Sequence, residues 1–527
     1  MELNLPTQEG IPGVDTRPAT LCAWLDTLPY TEILHSARRI AERLQDINDQ
    51  HLAPVHRMAL MAAFRSAYVR LHDWLSGSPE ADAYQALRLL TAQMAFGYKF
   101  VVKDSLATQR PWSRPKHLAA GIENALRFLS LQLVCDYQAY RPGDPAVWSE
   151  INGLFRLAGD NLPAARRGDH LDDRLAGGHA GDIYKQIVLL RLGDPYRLPP
   201  GSVWEAFACL GKHASAASVT TSPADAETPG VFMLPPDAET SSITAGSGAP
   251  AGCHWLDARQ LIRALQAQAE QLLSGARPDT VGFSDRLSSV DGAQIITRLC
   301  SQWLHPTDRR TQRFPSNQRI HLLTGLPAAY RALNHGRAFD ATDYAEPAEE
   351  DHIDFSAVSA FQASQTPQRV HTTLSTARNR SAGGLSLSLP AHEAGRLRVG
   401  QLIAIKLEGA QDTSAREWII GIIRWLVQAS DHSTNTGIQY VGRHVKPCAV
   451  RAVRGSNNHV QPALRTDLQH ASQILHTLIA PRGTYAEKRS LELIRGQESI
   501  MVRADRLLEK SPAFERFAYT LDTPGGI

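Results

Sequence analysis

This sequence of 527 residues has neither an excess of charge of one sign nor a long apolar run. Lys and Arg number 55 against 53 Asp and Glu, which leaves a formal charge of +2. This balance gives no general attraction to nucleic acids or membrane surfaces, so any anion-binding site must be local. The first residues lack the basic start and apolar core of a secretion signal, and no uncharged apolar run reaches membrane-spanning length. We therefore expect a cytoplasmic protein.

Cysteine is sparse, and the motifs of common enzyme classes are missing. The six cysteines form no CxxC pair and have no histidine beside them at zinc-ligand spacing, which favours buried thiols over metal ligands. The chain contains no GxSxG, no HExxH and no Rossmann glycine fingerprint. The glycines near residue 250 are not preceded by a strand and not followed by Gly-Lys-Ser/Thr, so a phosphate-binding loop is excluded as well. The sequence predicts no enzyme, no metal site and no cofactor.

The chain has enough apolar material for several cores, because 43% of its residues are hydrophobic and its length exceeds what one core usually supports. Apolar residues recur at helical spacing from Leu21 to about Leu210, which predicts an α-helical domain over residues 1–211. The segment 212–252 is rich in Ala, Ser, Thr, Gly and Pro and predicts a solvated linker, in which VFMLPP could dock as a strand. Further helices are expected over 253–302.

Short β-like runs replace the helical pattern from Arg319 onward. The run GLSLSLP, for example, alternates leucine and serine with the period of two that a β-strand requires. Several such runs separated by turn residues predict an antiparallel barrel over 303–453, followed by a β-rich extension or second small barrel over 454–527. The expected fold is therefore multidomain, with an all-α N-terminal half, a β-barrel and a β-rich C-terminal extension.

Two short motifs each lead into one of these predicted strands. Arg309 and Arg313 form RxxxR ahead of the first strand, where Phe314-Pro315 favours an extended chain. Further along, ARNRSAGGLSLSL contains NxSxxG, formed by Asn379, Ser381 and Gly384. In this order and strand context the motifs resemble the two signatures of the PilZ domain family, RxxxR and D/N-x-S-x-x-G.

The resemblance covers about residues 303–453 and includes the later strands RVGQLIAIKL, WIIGIIRWL and GIQYVG. The distance between the two motifs is longer than is usual in the family, which requires an insertion over about 325–368. This insertion starts with a helix-like run and continues into the acidic stretch EPAEEDHID, which we expect to be solvated.

The resemblance implies a PilZ-like antiparallel β-barrel that binds cyclic di-GMP, whose two phosphodiesters and guanine edges suit particular side chains. A guanidinium can bond phosphate in a fork, pair with guanine O6 and N7 and stack on a purine. Asparagine and serine add short polar groups, glycines allow close backbone approach, and Arg378 and Arg380 could add positive charge. The residues expected to bind cyclic di-GMP are Arg309, Arg310, Arg313, Asn379, Ser381, Gly383 and Gly384.

Two functional hypotheses remain open at this point, beside a third, an uncharacterised enzyme in the helical half, which no catalytic motif supports. In the first, the protein is a cyclic di-GMP effector that couples ligand binding to an interaction between the helical domain and an unidentified protein partner. In the second, it is a helical scaffold whose PilZ-like domain has lost its ligand, and Asn379–Gly384 merely forms a turn. Neither involves nucleic acid or insertion into a membrane. Trp418 and Trp425 are expected to serve packing rather than binding.

Overall fold

The chain divides into two compact units, Met1–Asp308 and Arg309–Ile527. The structure is a computed structural model. It describes residues 3–78, 80–108, 117–161, 179–222, 228–234, 253–305, 312–344, 372–390, 393, 397–408, 418–429, 431, 433–453, 459–470, 473–496 and 498–522.

The described part of the first unit is mainly helical, which confirms the expected all-α half. Proline opens two of the helices, at Pro18 and Pro54, where the missing N–H needs no intrahelical partner. Apolar side chains at helical spacing then form one continuous core. The helices are α1 (Pro18–Asp26), α2 (Ile33–Asn48), α3 (Pro54–Gly77), α4 (Ala81–Ala107), α5 (Leu118–Gln138), α6 (Pro145–Asn161), α7 (Ala180–Leu192), α8 (Ser202–His213), α9 (Arg259–Leu273) and α10 (Ser289–Leu304).

Helix α5 lies at the centre of this core. Among the described residues it is the one helix long and apolar enough to cross a membrane, but 72% of its apolar window is buried inside the unit. Its Leu126, Phe128 and Val134 side chains are fully inaccessible to solvent. Such burial is typical of the central helix of a globular domain, which is apolar on all sides because it has neighbours on all sides.

A three-stranded antiparallel sheet accompanies the helices. Its strands are β1 (Ser218–Thr220), β2 (Val231–Leu234) and β3 (His254–Asp257), in the order β1-β3-β2. Two of the three come from the segment 212–252, where the sequence predicts a solvated linker. Strand β2 confirms that the VFMLPP run docks as a strand, because its four side chains are apolar and all buried. The expectation of a solvated linker is corrected at β1, which pairs with β3. Residues 223–227 and 235–252 lie outside the described residues.

The first barrel of the second unit confirms the expected PilZ-like fold. Its sheet has the order β4-β6-β5-β8-β9-β10-β7, and an additional pairing between β6 and β7 closes six of the strands into a ring. The elements are β4 (Phe314–Pro315), β5 (Arg319–Thr324), α11 (Leu326–Leu333), β6 (Thr373–Ser381), β7 (Gly384–Leu389), β8 (Leu402–Leu407), β9 (Ile419–Gln428) and β10 (Thr434–Tyr440).

The β-rich C-terminal extension is a second closed barrel, with the strand order β11-β12-β13-β16-β15-β14. Its first strand lies within 303–453, the range that the sequence assigns to the first barrel. It pairs instead with β12 and β14, and sequence alone gives no sign of such distant partners. The strands are β11 (Arg443–Ala452), β12 (Gln461–His470), β13 (Gln473–Ala480), β14 (Ser490–Arg495), β15 (Glu498–Lys510) and β16 (Glu515–Leu521).

Helix α11 lies in a core that the two barrels share. It begins the segment 325–368, which the sequence predicts to be an insertion, and its Tyr330 is only 1% exposed. The helix-like run at the start of that segment is therefore confirmed as a helix. The acidic stretch expected to be solvated belongs to residues 345–371, which lie outside the described residues. The shared core contains Leu323, Leu326, Ala329, Tyr330, Leu402, Ala404, Ile420 and Ile422 together with Val441, Leu464, Ile479 and Phe514.

Candidate functional site

The NxSxxG motif forms the tight connection between β6 and β7. Ser381 pairs with Gly384 across the turn, and its Oγ donates a hydrogen bond to the Gly384 carbonyl at 3.2 Å. Gly384 is buried, and a Cβ at this position would overlap the backbone carbonyl oxygen of Ile438 in β10. The close approach of β10 therefore requires glycine here, because no side-chain movement would relieve that clash.

The main chain around this turn is tied to the end of β10. The Gly383 carbonyl accepts a hydrogen bond from the Tyr440 N–H at 3.0 Å. Burial raises the pKa of the Tyr440 phenol, and the positive charge of Arg380 opposes that shift. Strands β6, β7 and β10 are thus fixed together where the motif lies.

Arg313 reaches the same region through main-chain pairing. Strand β4 follows it directly and pairs with β6, so that Pro315 lies opposite Asn379. The Ser316 N–H also donates to the carbonyl of Arg378 at 3.0 Å. The end of the RxxxR motif is therefore placed beside the start of the NxSxxG motif, although a long segment separates the two in the sequence.

A cavity of about 380 Å³ opens on this face of the first barrel, and we call it the barrel-face cavity. Among the described residues, two guanidinium groups, three uncharged polar side chains, one tryptophan and one valine line it, and no carboxylate does. A concave site with a few polar groups and an aromatic wall suits a small organic anion. The lining residues are Arg313, Arg378, Asn379, Ser386, Trp425, Val427 and Asn435.

The two arginines of the cavity differ in how they are held. Arg378 donates from Nη1 to the Asn435 side-chain oxygen at 2.8 Å, which orients its guanidinium along the wall. Arg313 is exposed, and within the described part of the chain neither arginine takes part in an ion pair. Both therefore keep their charge available to an anion in the cavity.

Trp425 is a lining residue that the sequence assigns to packing. Its indole lies over Gly437, its cross-strand partner in β10, and a Cβ at Gly437 would overlap the indole nitrogen. The ring is half-buried and leaves a face toward the cavity. Trp418 is also half-buried and packs against the shared core, with the Lys406 ammonium 5.9 Å from its ring centre. The glycine opposite Trp425 distinguishes this lining tryptophan from Trp418. That pairing with Gly437 can be recognised only when the register of β9 and β10 is known.

The structure brings together some of the predicted ligand residues and not others. Arg313 and Asn379 line one cavity, whereas Ser381, Gly383 and Gly384 belong to the connection between β6 and β7 and do not line it. Arg309 and Arg310 lie outside the described residues. Lining residues that the predicted set does not include are Arg378, which was expected only to add positive charge, and Ser386, Trp425, Val427 and Asn435.

The first unit contains a larger cleft of about 1170 Å³ between α3, α5, α7, α8 and the segment 277–287, and we call it the helical cleft. Phe207, Phe283 and Arg127 are buried, and burial lowers the pKa of Arg127 to about 10. Trp204 is half-buried and packs edge to face with His72, their ring centres 4.6 Å apart. The exposed charged residues of the cleft are balanced in sign: Lys212, Arg277 and Arg286 against Asp73, Asp279 and Asp285.

Comparison with known proteins finds three family models that match separate parts of the chain. They describe the N-terminal domain of the cyclic-di-GMP receptor FimW (residues 19–225), its middle PilZ domain (332–447) and its C-terminal β-barrel domain (448–522). The middle match begins after Arg313, and its boundary with the last falls inside β11. The chain is also 24% identical to a Pseudomonas aeruginosa protein named cyclic-di-GMP receptor FimW, with 99% of this chain and 94% of that protein covered.

Proposed function

We propose that this chain, a member of the PilZ domain family with the domain order of the FimW receptors, is a cytoplasmic effector that binds cyclic di-GMP in the barrel-face cavity. It acts as a receptor rather than as an enzyme. The observation that carries the proposal is the convergence of Arg313 and Asn379, one from each signature motif, on a cavity that no acidic side chain lines in the part of the chain that the structure describes. The name of the Pseudomonas aeruginosa relative supports the same ligand.

The lining groups match the parts of the proposed ligand. Arg313 and Arg378 offer forked donors to a phosphodiester, which accepts two parallel hydrogen bonds. Asn379, Asn435 and Ser386 offer short amides and a hydroxyl to a base edge or sugar.

The turn residues and the first two arginines have separate roles in this proposal. Ser381 and Gly384 fix the turn that presents Asn379, and Gly383 leaves room for the ligand beside it. Arg309 and Arg310 supply further positive charge from the segment ahead of Arg313.

Trp425 gives the cavity an aromatic wall on which a guanine can stack. Stacking on an aromatic side chain contributes about 1–3 kcal/mol per base. We therefore expect Trp425→Ala to weaken cyclic di-GMP binding by about 5- to 100-fold, and Trp425→Phe to retain most of the affinity. Isothermal titration calorimetry of the full chain measures both.

Trp418→Phe is the matched control, because this tryptophan lies against the shared core rather than in the cavity. It is expected to leave the affinity unchanged. If Trp425→Ala binds cyclic di-GMP as tightly as the unaltered chain, the ligand does not stack on Trp425.

We further propose that the helical cleft is where the helical domain contacts its protein partner. The cleft exceeds the roughly 300–1,000 Å³ of usual small-molecule pockets, and it combines buried aromatic side chains with a charged edge, as protein-binding surfaces do. A half-buried tryptophan in such a place is the kind of residue that dominates binding energy.

For this cleft we expect Trp204→Ala to abolish recovery of the partner while cyclic di-GMP binding stays within twofold. Recovery of the partner is measured by proximity labelling in the native bacterium, with the unaltered chain and the variant compared. Calorimetry measures the binding of cyclic di-GMP. The control is Trp74→Ala, an exposed tryptophan of α3 that does not line the cleft. Identical labelling by the unaltered chain and by both variants would exclude the cleft as the contact site.

A further inference from the structure

The strand that carries Trp425 also contacts the second barrel. In β9 the residue before Trp425 is Arg424, and the pairing with β10 skips it: Gly437 lies opposite Trp425 and Ile438 opposite Ile423. Arg424 is therefore the extra residue of a β-bulge, a feature that redirects a side chain out of the regular alternation of a strand. Here the redirected side chain points to β15.

Arg424 forms a two-pronged ion pair with Glu509 of β15. Its Nη1 and Nη2 lie 2.5 and 3.0 Å from the two carboxylate oxygens, and its Nε donates to the Gln439 side-chain oxygen at 2.7 Å. The Glu509 side chain is only 12% exposed. Because the pair is forked and partly shielded from water, it restricts the relative position of β9 and β15 more than an exposed ion pair would.

A second contact joins the same two barrels. Arg516 of β16 is the cross-strand neighbour of Glu509, and its Nη2 donates to the Val441 carbonyl at 2.7 Å. Arg516 is buried, and burial lowers its pKa to about 10 while Glu509 opposes that shift. Val441 directly follows β10, the strand whose Gln439 lies opposite Gly384 of the NxSxxG motif.

We infer that Glu509 is a positioning residue for the barrel-face cavity, so that ligand binding in the first barrel and the conformation of the second are energetically coupled. The inference rests on the proposed function. Through Arg424, Glu509 holds the bulge that sets the direction of Trp425, and through Arg516 the same barrel holds the end of β10. By reciprocity, a ligand that favours this arrangement of β9 stabilises the contact with β15.

The test compares Glu509→Gln, which removes the charge and keeps the shape, with Glu492→Gln as control. Glu492 makes a similar ion pair with Arg451 at 2.6 Å, with 18% and 35% exposure, but inside the second barrel. We expect Glu509→Gln to lower the cyclic di-GMP affinity of the full chain by about 5- to 20-fold and Glu492→Gln to leave it unchanged.

Hydrogen exchange distinguishes coupling from a loss of folding. In the unaltered chain, saturation with cyclic di-GMP is expected to slow exchange of the β15 and β16 amides, and Glu509→Gln should abolish this slowing. The inference is overturned if Glu509→Gln binds cyclic di-GMP as tightly as the unaltered chain. It is also overturned if the ligand does not slow exchange of the β15 and β16 amides in an unaltered chain that binds it. Absence of binding by the folded, unaltered chain would overturn the proposed function and this inference with it.

Discussion

Replacement of Arg313 by alanine is expected to weaken cyclic di-GMP binding by about 10- to 100-fold, since a hydrogen-bonded charge contributes about 1.5–3 kcal/mol. Arg313 lines the barrel-face cavity and is exposed, and it makes no ion pair within the described residues. The substitution should therefore remove a ligand contact without disturbing the barrel. Calorimetric titration of the full chain measures the affinity, and thermal unfolding verifies that the variant is folded.

Two further variants separate charge from geometry in this prediction. Arg313→Lys keeps the charge but loses the fork, so its affinity should fall between those of the alanine variant and the unaltered chain. Arg319→Ala removes an exposed arginine that begins β5 and does not line the cavity, and it should bind normally. If Arg313→Ala binds within twofold of the unaltered chain, Arg313 does not contact the ligand.

Replacement of Gly384 by valine is expected to destabilise the first barrel by more than about 3 kcal/mol. The new side chain would overlap the Ile438 carbonyl, which belongs to the backbone of β10 and has no alternative rotamer. The β7 strand would then separate from β10, which opens the ring that β6 and β7 close. Native-state hydrogen exchange of the β7 and β10 amides reports the free energy of opening directly.

The adjacent glycine provides the control for this effect. Gly383 is exposed, and a Cβ there would meet no atom within 4 Å, so Gly383→Ala should change the stability by less than about 0.5 kcal/mol. Equal stability of Gly384→Val and Gly383→Ala would show that β10 does not approach β7 as closely as described.

Local patterns in the sequence were sufficient to predict the architecture. The helical spacing of apolar residues predicts the first unit, because one buried face dictates that period. The alternation of Leu385, Leu387 and Leu389 predicts β7, and the turn residues of NxSxxG predict the connection before it. These features depend only on neighbours in the chain, which is why a single sequence contains them.

Features that depend on pairing between distant strands could not be predicted. Trp425 and Asn435 join Arg313 at the cavity only through the register of β9 and β10. The bulge at Arg424 likewise has no local signature. The transfer of β11 to the second barrel follows from its pairing with β12 and β14, which are distant in the sequence.

Calorimetric titration of the folded full-length chain with cyclic di-GMP is the most direct test of the central claim, that the barrel-face cavity is a receptor site. Saturable binding is expected at micromolar protein, and Arg313→Ala should weaken it while Arg319→Ala leaves it intact. Absence of heat from a folded sample would contradict a receptor site in this cavity and favour the helical scaffold whose PilZ-like domain binds no ligand.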